Sequence, residues 1–222
     1  MPVTGHRQVA KRSTDRMTVS TPPLKSGDPC DRADDDARFF KGWLKRPLQM
    51  GAVSPSSKAL GRAMASYVPV EAVLSGDMAV LELGPGTGVV TQSLLDRGVP
   101  EQNLVLVEFS PEFCMLLQAR FPKARIVQGD AYAHGDAIGA ALGGRAIGAV
   151  VSSLPLFTKP DAMRESVIGN ALGRLPAGHP FIQFSYALTL PVKPARLAAT
   201  VEISSWIKLN LPPARVLVYR RP

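Results

Sequence analysis

Cysteine is nearly missing: Cys30 and Cys114 are the only two in 222 residues. Two thiols with no metal-ligand spacing exclude a disulfide scaffold and a cysteine-based zinc site, and they fit a reducing compartment. Long apolar runs are missing too. No stretch approaches the roughly 18 apolar residues that a bilayer-spanning helix requires. Residues 1–29 mix Lys, Arg, Ser, Thr and Pro without an apolar centre, which excludes a secretory signal. Acid is scarce beside base, with 18 Asp and Glu against 26 Lys and Arg, a formal charge of +8. Such an excess favours a polyanionic partner, and nucleic acid and an anionic membrane surface both meet that description. Apolar residues are not scarce: at 45% they suffice for the core of one ordinary domain. The expectation is a cytoplasmic protein, free or peripherally attached to the inner face of the membrane.

Residues 1–33 have almost nothing to bury against the entropy of ordering and read as a disordered tail. Asp34, Asp35 and Asp36 suit a helix N-terminus, and the helical pattern runs to Arg46, where Pro47 stops it. Phe39, Phe40, Trp43 and Leu44 fall on one face, flanked by Arg38, Lys41, Lys45 and Arg46. From Arg38 to Arg62 there are six basic residues and no acid. Two readings stay open for this helix: one lying in a membrane interface, and one docked on its own core with the charges solvated. A second helix is expected over 56–68, with Ser56 and Ser57 as caps behind Pro55. Residues 34–69 thus read as a helical docking or lid segment ahead of a main domain over 70–222.

From there the chain alternates as a parallel sheet with crossover helices must. Strands are expected over 78–83, 103–108, 125–128, 146–152 and 179–186, and helices over 88–97, 111–120, 137–142 and 161–174. Residues 201–209 and 215–219 read as a terminal antiparallel hairpin around Leu211-Pro212-Pro213. The fold expected is a doubly wound α/β sheet of seven mostly parallel strands, with Trp206 in the core.

The most informative stretch is Val80-Leu81-Glu82-Leu83-Gly84-Pro85-Gly86-Thr87-Gly88, an apolar strand that runs into a glycine turn and then a helix. Glycine admits positive φ and lets the backbone approach a ligand closely. A dinucleotide site prefers G-x-G-x-x-G, whereas this turn is G-x-G-x-G. Glu108 ends the second strand, where a carboxylate can accept both hydroxyls of a ribose.

With those residues in place, the segment from about 70 to 221 resembles the class I S-adenosylmethionine-dependent methyltransferases. The resemblance implies that Glu82, Gly84, Gly86 and Gly88 hold the amino-acid end of S-adenosylmethionine. It implies ribose on Glu108, adenine against Phe109, and the adenine amino group on Asp130 within Gly129-Asp130-Ala131. The fourth strand runs into Ser152-Ser153-Leu154-Pro155-Leu156, where this class places its acceptor. Enzymes that methylate nucleobases carry N/D-P-P-Y or N-L-P-Y there. Here Leu156 replaces the aromatic, so a planar base would be poorly held.

A finer resemblance is to bacterial phospholipid N-methyltransferases, which methylate phosphatidylethanolamine stepwise towards phosphatidylcholine. It rests on Phe39-Phe40-Lys41-x-Trp43-Leu44, Gly51-Ala52-Val53-x-Pro55-Ser56-Ser57, Ser153-Leu154-Pro155-Leu156, Gln183-Phe184-x-Tyr186 and Asn210-Leu211-Pro212-Pro213-Ala214-Arg215-Val216. It implies a phospholipid substrate at an anionic membrane surface, docked by the basic N-terminal helix, with no nucleic acid and no metal. Around the acceptor nitrogen the expected groups are the Leu154 carbonyl, the Ser153 hydroxyl and the Tyr186 phenol, with Tyr186 and Phe39 as faces for a methylated ammonium. His134 has no evident partner for a role as base. Arg215, Arg220 and Arg221 read either as phosphate ligands or as solvated strand-end charges. Two rival functions are a ribosomal RNA adenine dimethyltransferase and a non-catalytic membrane-binding or cofactor-sensing protein.

Overall fold

The computed structural model describes residues 1–2, 55–133 and 136–222. The expected helix over 34–46, with Arg38, Phe39, Phe40, Lys41, Trp43, Leu44, Lys45 and Arg46, lies outside the described residues. So do the expected tail from residue 3 onward and His134.

Strands β1 (Ala79–Leu83), β2 (Leu104–Glu108) and β4 (Ile147–Ser152) are buried at every position, as befits parallel strands covered on both faces. With β3 (Arg125–Gln128), β5 (Phe181–Ser185), β6 (Thr200–Ile203) and β7 (Arg215–Arg220) they form one sheet in the order β3-β2-β1-β4-β5-β7-β6. β1 to β5 run parallel, and β7 is antiparallel to both β5 and β6. The chain winds outward from β1 to β3, then returns and winds the other way from β4. This reversal opens a crevice at the carboxyl ends of β1 and β4, where open α/β sheets take their ligands.

Side chains along each strand alternate between two cores. Leu81, Val105, Val150, Phe181, Leu217 and Tyr219 face one side, packed by α5 (Asp136–Leu142) and α6 (Asp161–Arg174) through Ile138, Leu142, Val167 and Leu172. Val80, Leu106, Val151, Ile182 and Val218 face the other, packed by α1 (Pro55–Ala65), α3 (Val89–Asp96) and α4 (Pro111–Arg120) through Leu60, Met64, Leu94 and Leu117. The buried Tyr219 hydroxyl donates to the Val192 carbonyl at 2.9 Å, so the largest side chain of β7 is anchored without an orphaned polar atom.

The limits expected for α4, β3 and α6 match those observed. α1 ends three residues early, and α2 (Val70–Ser75) follows it. β6 stops at Ile203 because the Ser204 hydroxyl accepts the Val216 N–H at 2.8 Å and so interrupts the ladder. Trp206 therefore sits on the β6–β7 loop, outside both cores. It is half-buried, with the Arg215 guanidinium 5.2 Å above its ring.

Candidate cofactor and acceptor site

Three glycines between β1 and α3 take left-handed backbone: φ is +70° at Gly84, +56° at Gly86 and +80° at Gly88. Their neighbours differ. A Cβ at Gly88 would lie 2.5 Å from Cε2 of Phe121, and one at Gly84 would lie 3.1 Å from Cδ2 of Leu154. A Cβ at Gly86 would meet nothing within 4 Å, and the same holds at Gly129 beyond β3. The protein's own packing thus requires Gly84 and Gly88, whereas Gly86 and Gly129 border open space of the kind a ligand fills. Arg120 of α4 donates to the Thr87 carbonyl and ties the turn to the neighbouring helix.

Glu82, beside this turn, is wholly buried. Thr91 of α3 donates its hydroxyl to Oε2 at 2.8 Å, and Oε1 has no partner. Burial pushes the Glu82 carboxyl up to about 8; the Thr91 bond works against this and the Glu108 charge adds to it. A cation beside Oε1 would satisfy the orphaned oxygen and draw the group back to its ionised form. The ammonium of an amino-acid moiety fits that need.

Glu108 ends β2 and is also buried. Its Oε2 accepts the Gly86 N–H at 3.0 Å and its Oε1 the Ser110 N–H at 2.9 Å, which leaves each oxygen a lone pair for a hydroxyl donor. The Gly129 N–H donates to the Glu108 carbonyl at 2.9 Å, joining the β2 and β3 ends. Phe109 follows Glu108 and is 75% exposed, so its ring can cover a flat ligand. Asp130 is exposed and accepts the Tyr132 N–H at 2.9 Å, while Ala131 is buried beneath it. Glu82, Gly84, Gly86, Gly88, Glu108, Phe109, Asp130 and Ala131 therefore share one edge, across the ends of β1, β2 and β3. A buried acid for an ammonium, a paired-acceptor acid for a diol and an exposed ring for a base fit S-adenosylmethionine.

The β4 end lies alongside. The Ser153 N–H donates to the Leu83 carbonyl at 2.9 Å, so the loop after β4 is stitched to the end of β1. Leu154 touches the turn at Gly84 and also lines a pocket with Leu156, Phe157, Gln183, Tyr186 and Pro191. Leu154 thus borders both the glycine turn and the pocket. Tyr186 packs edge-on against Phe184, with centroids 5.4 Å apart, and shares a hydrogen bond with Asn210. Burial raises its phenol above the ordinary value, against the Asn210 bond, so Tyr186 stays protonated at neutral pH and serves as a hydrogen-bonding group.

Sequence reasoning gave Gln183 no chemical role. It is buried in β5, and its Nε2 donates to the Leu154 carbonyl at 3.1 Å and the Phe184 carbonyl at 2.9 Å. Two carbonyls on one side fix the amide with its nitrogen towards them. Its Oε1 is left buried and unpartnered. The available signal was a lone amide in the apolar run Phe-Ile-Gln-Phe-Ser. Thr91 was likewise missed, since only α3 docking brings it to Glu82. Among the described residues no group of three or more His, Cys, Asp or Glu side chains is placed to hold a metal ion.

The sequence model of the ribosomal RNA adenine dimethylase family matches residues 65–135. An ornithine lipid N-methyltransferase of Singulisphaera acidiphila is 32% identical over 95 residues, 41% of this chain and 47% of that protein. A ribosomal RNA small subunit methyltransferase A of a Synechococcus species is 39% identical over 97 residues, 42% of this chain and 29% of that protein. The chain thus spans less than half the length of these relatives. Among solved structures, magnesium protoporphyrin IX methyltransferase from Synechocystis PCC 6803, with S-adenosylmethionine bound, superposes with a TM-score of 0.55 at 13% identity. That match covers 90% of this chain and all of the other. Strand order gives this chain the seven-stranded fold that such S-adenosylmethionine-dependent methyltransferases share, and its glycine turn and strand-end acids fit S-adenosylmethionine.

Proposed function

We propose that this chain methylates the amine of phosphatidylethanolamine, stepwise towards phosphatidylcholine, at a membrane surface. The observation that carries this reading is the pocket beyond Leu154. Leu154, Leu156, Phe157 and Pro191 make it apolar, and Leu156 stands where a base-stacking ring would be needed. The similarity to a lipid N-methyltransferase supports the same direction.

When bound, S-adenosylmethionine supplies an electrophilic methyl group. The residues of this chain position and desolvate the acceptor. An apolar pocket favours the neutral amine, the form whose lone pair can react. Its two N–H groups have acceptors in the Gln183 Oε1 and the second lone pair of the Leu154 carbonyl. The Tyr186 ring offers a face to the more cationic methylated species. Ser153, half-buried on the same loop, lies beside Leu154.

A ribosomal RNA adenine dimethyltransferase is the second reading, supported equally by the family match over residues 65–135 and by the similarity to ribosomal RNA small subunit methyltransferase A. That stretch carries the cofactor edge and stops short of Leu154 and the pocket, so it speaks to the donor more than to the acceptor. The deciding experiment supplies methyl-labelled cofactor with phosphatidylethanolamine–phosphatidylglycerol vesicles and, in parallel, with ribosomal RNA. Label in the lipid is expected. Label in RNA alone would overturn the proposal.

A further inference from the structure

Two loops meet at the carboxyl edge of the sheet, outside the pocket. Residues 186–199 leave β5, and residues 204–214 connect β6 to β7; the pairing of Ser185 with Arg215 places both at the same end. They are bound to each other. Arg215 donates through Nη2 to the Leu188 carbonyl at 2.6 Å, and Tyr186 shares its hydrogen bond with Asn210.

Asn210 is 4% exposed, and its Nδ2 donates to the Pro212 carbonyl at 2.7 Å. The residues on either side of this buried anchor point outward: Leu209 is 79% exposed and Leu211 86%. On the facing loop Leu188, between the pocket residues Tyr186 and Pro191, is 75% exposed. Two leucines held in water by a fixed turn, with a third exposed on the loop bound to it, are an unusual arrangement for a free surface. The charge around them is one-sided: the two loops carry Lys193, Arg196 and Lys208 and no acid. Arg196 is engaged by Glu165, and Lys193 and Lys208 are exposed.

We propose that Leu188, Leu209 and Leu211 form a membrane-inserting rim around the pocket mouth, seated on anionic lipid with Lys193 and Lys208 at the headgroup level. Apolar side chains enter the acyl boundary while lysines remain among the phosphates, the division that interfacial segments use. Seated this way, the pocket opens directly onto the headgroup layer, and a lipid amine reaches Leu154 without leaving the membrane. The inference rests on the lipid reading above but concerns residues other than those of the basic N-terminal segment.

Trp206 lies on the same loop and can report the contact. In the full chain carrying Trp43→Phe it is the only tryptophan. Mixed with phosphatidylethanolamine–phosphatidylglycerol vesicles, its emission is expected to shift to the blue and to be quenched by lipids brominated in the acyl chains. In the chain with Trp43 retained, Leu209→Ser with Leu211→Ser should weaken vesicle sedimentation about tenfold, with cofactor binding by calorimetry unchanged. Sedimented protein with unquenched Trp206, or a double variant that sediments like the parent, would overturn the rim. A quenched Trp206 together with methyl label found only in RNA would keep the rim and remove the lipid-methylation reading.

Discussion

At the residue scale, the glycines of one turn separate folding from binding. A Cβ at Gly88 collides with the Phe121 ring at 2.5 Å in a left-handed backbone, so Gly88→Ala is expected to cost about 2–4 kcal/mol of stability. Gly86→Ala meets no protein atom and should cost only about 1 kcal/mol, yet it places a methyl group in the cofactor space. Urea denaturation and cofactor calorimetry on the two variants should therefore diverge: Gly88→Ala loses stability first, Gly86→Ala affinity first. Glu82 makes a prediction about pH. Its folded-state value near 8 lies above the ordinary carboxylate value of 4.5. Between those values the unfolded chain has released the proton and the folded chain still holds it, so stability falls as pH rises, then levels off above about 8. The full span is on the order of 4–5 kcal/mol at most. Glu82→Gln should flatten this decline in urea melts run from pH 5 to 8.5, and it should weaken cofactor binding by about tenfold or more. A variant that kept the slope would place the titration elsewhere.

At the scale of elements, α1 reaches the site through α3. A Cβ at Gly61 would lie 2.6 Å from the Ser93 hydroxyl and 3.3 Å from the Val89 carbonyl, so the two helices touch backbone to backbone. Met64, one turn on, is fully buried. Met64→Ala should cost about 2–5 kcal/mol by opening a cavity. Gly61→Val should instead push α1 away and shift α3, which carries Thr91 and hence the hydrogen bond on Glu82. Its expected signature is a loss of cofactor affinity greater than that of Met64→Ala at equal loss of melting temperature, read by calorimetry and thermal denaturation. These contacts explain what the sequence made legible. β1, β2 and β4 are apolar apart from Glu82, Glu108 and Ser152, and Pro111 and Asp161 mark helix starts, so the alternation of strands and helices could be read directly. α2 is six residues long, too short to show a period. The end of β6 depends on a serine hydroxyl that competes for a ladder N–H. Gln183 looks like an outward strand residue until β7 pairs alongside β5 and the Leu154 loop folds over it.

At the scale of the whole molecule, the proposed lipid attachment would draw separable contributions from charge and apolar surface. The formal charge of +8 favours an anionic surface, and Arg38, Lys41, Lys45 and Arg46 form a dense basic cluster in the sequence before the sheet. Each basic side chain near such a surface is worth about 1 kcal/mol, so replacing all four with Gln should lower affinity for phosphatidylglycerol vesicles by up to roughly a thousandfold at low salt. Raising ionic strength from 0.1 M to 1 M shortens the screening length from about 10 Å to about 3 Å, which should erase most of the difference between parent and variant. Burial of leucine in the acyl boundary is not screened in this way. The deficit of the Leu209→Ser, Leu211→Ser protein should therefore persist at 1 M salt, where the four-Gln protein rejoins the parent. Sedimentation across a salt series tests both: a rim deficit that faded with salt would mean that the leucines act only by positioning Lys208, and a cluster deficit that survived salt would assign Arg38 to Arg46 an apolar part in the attachment.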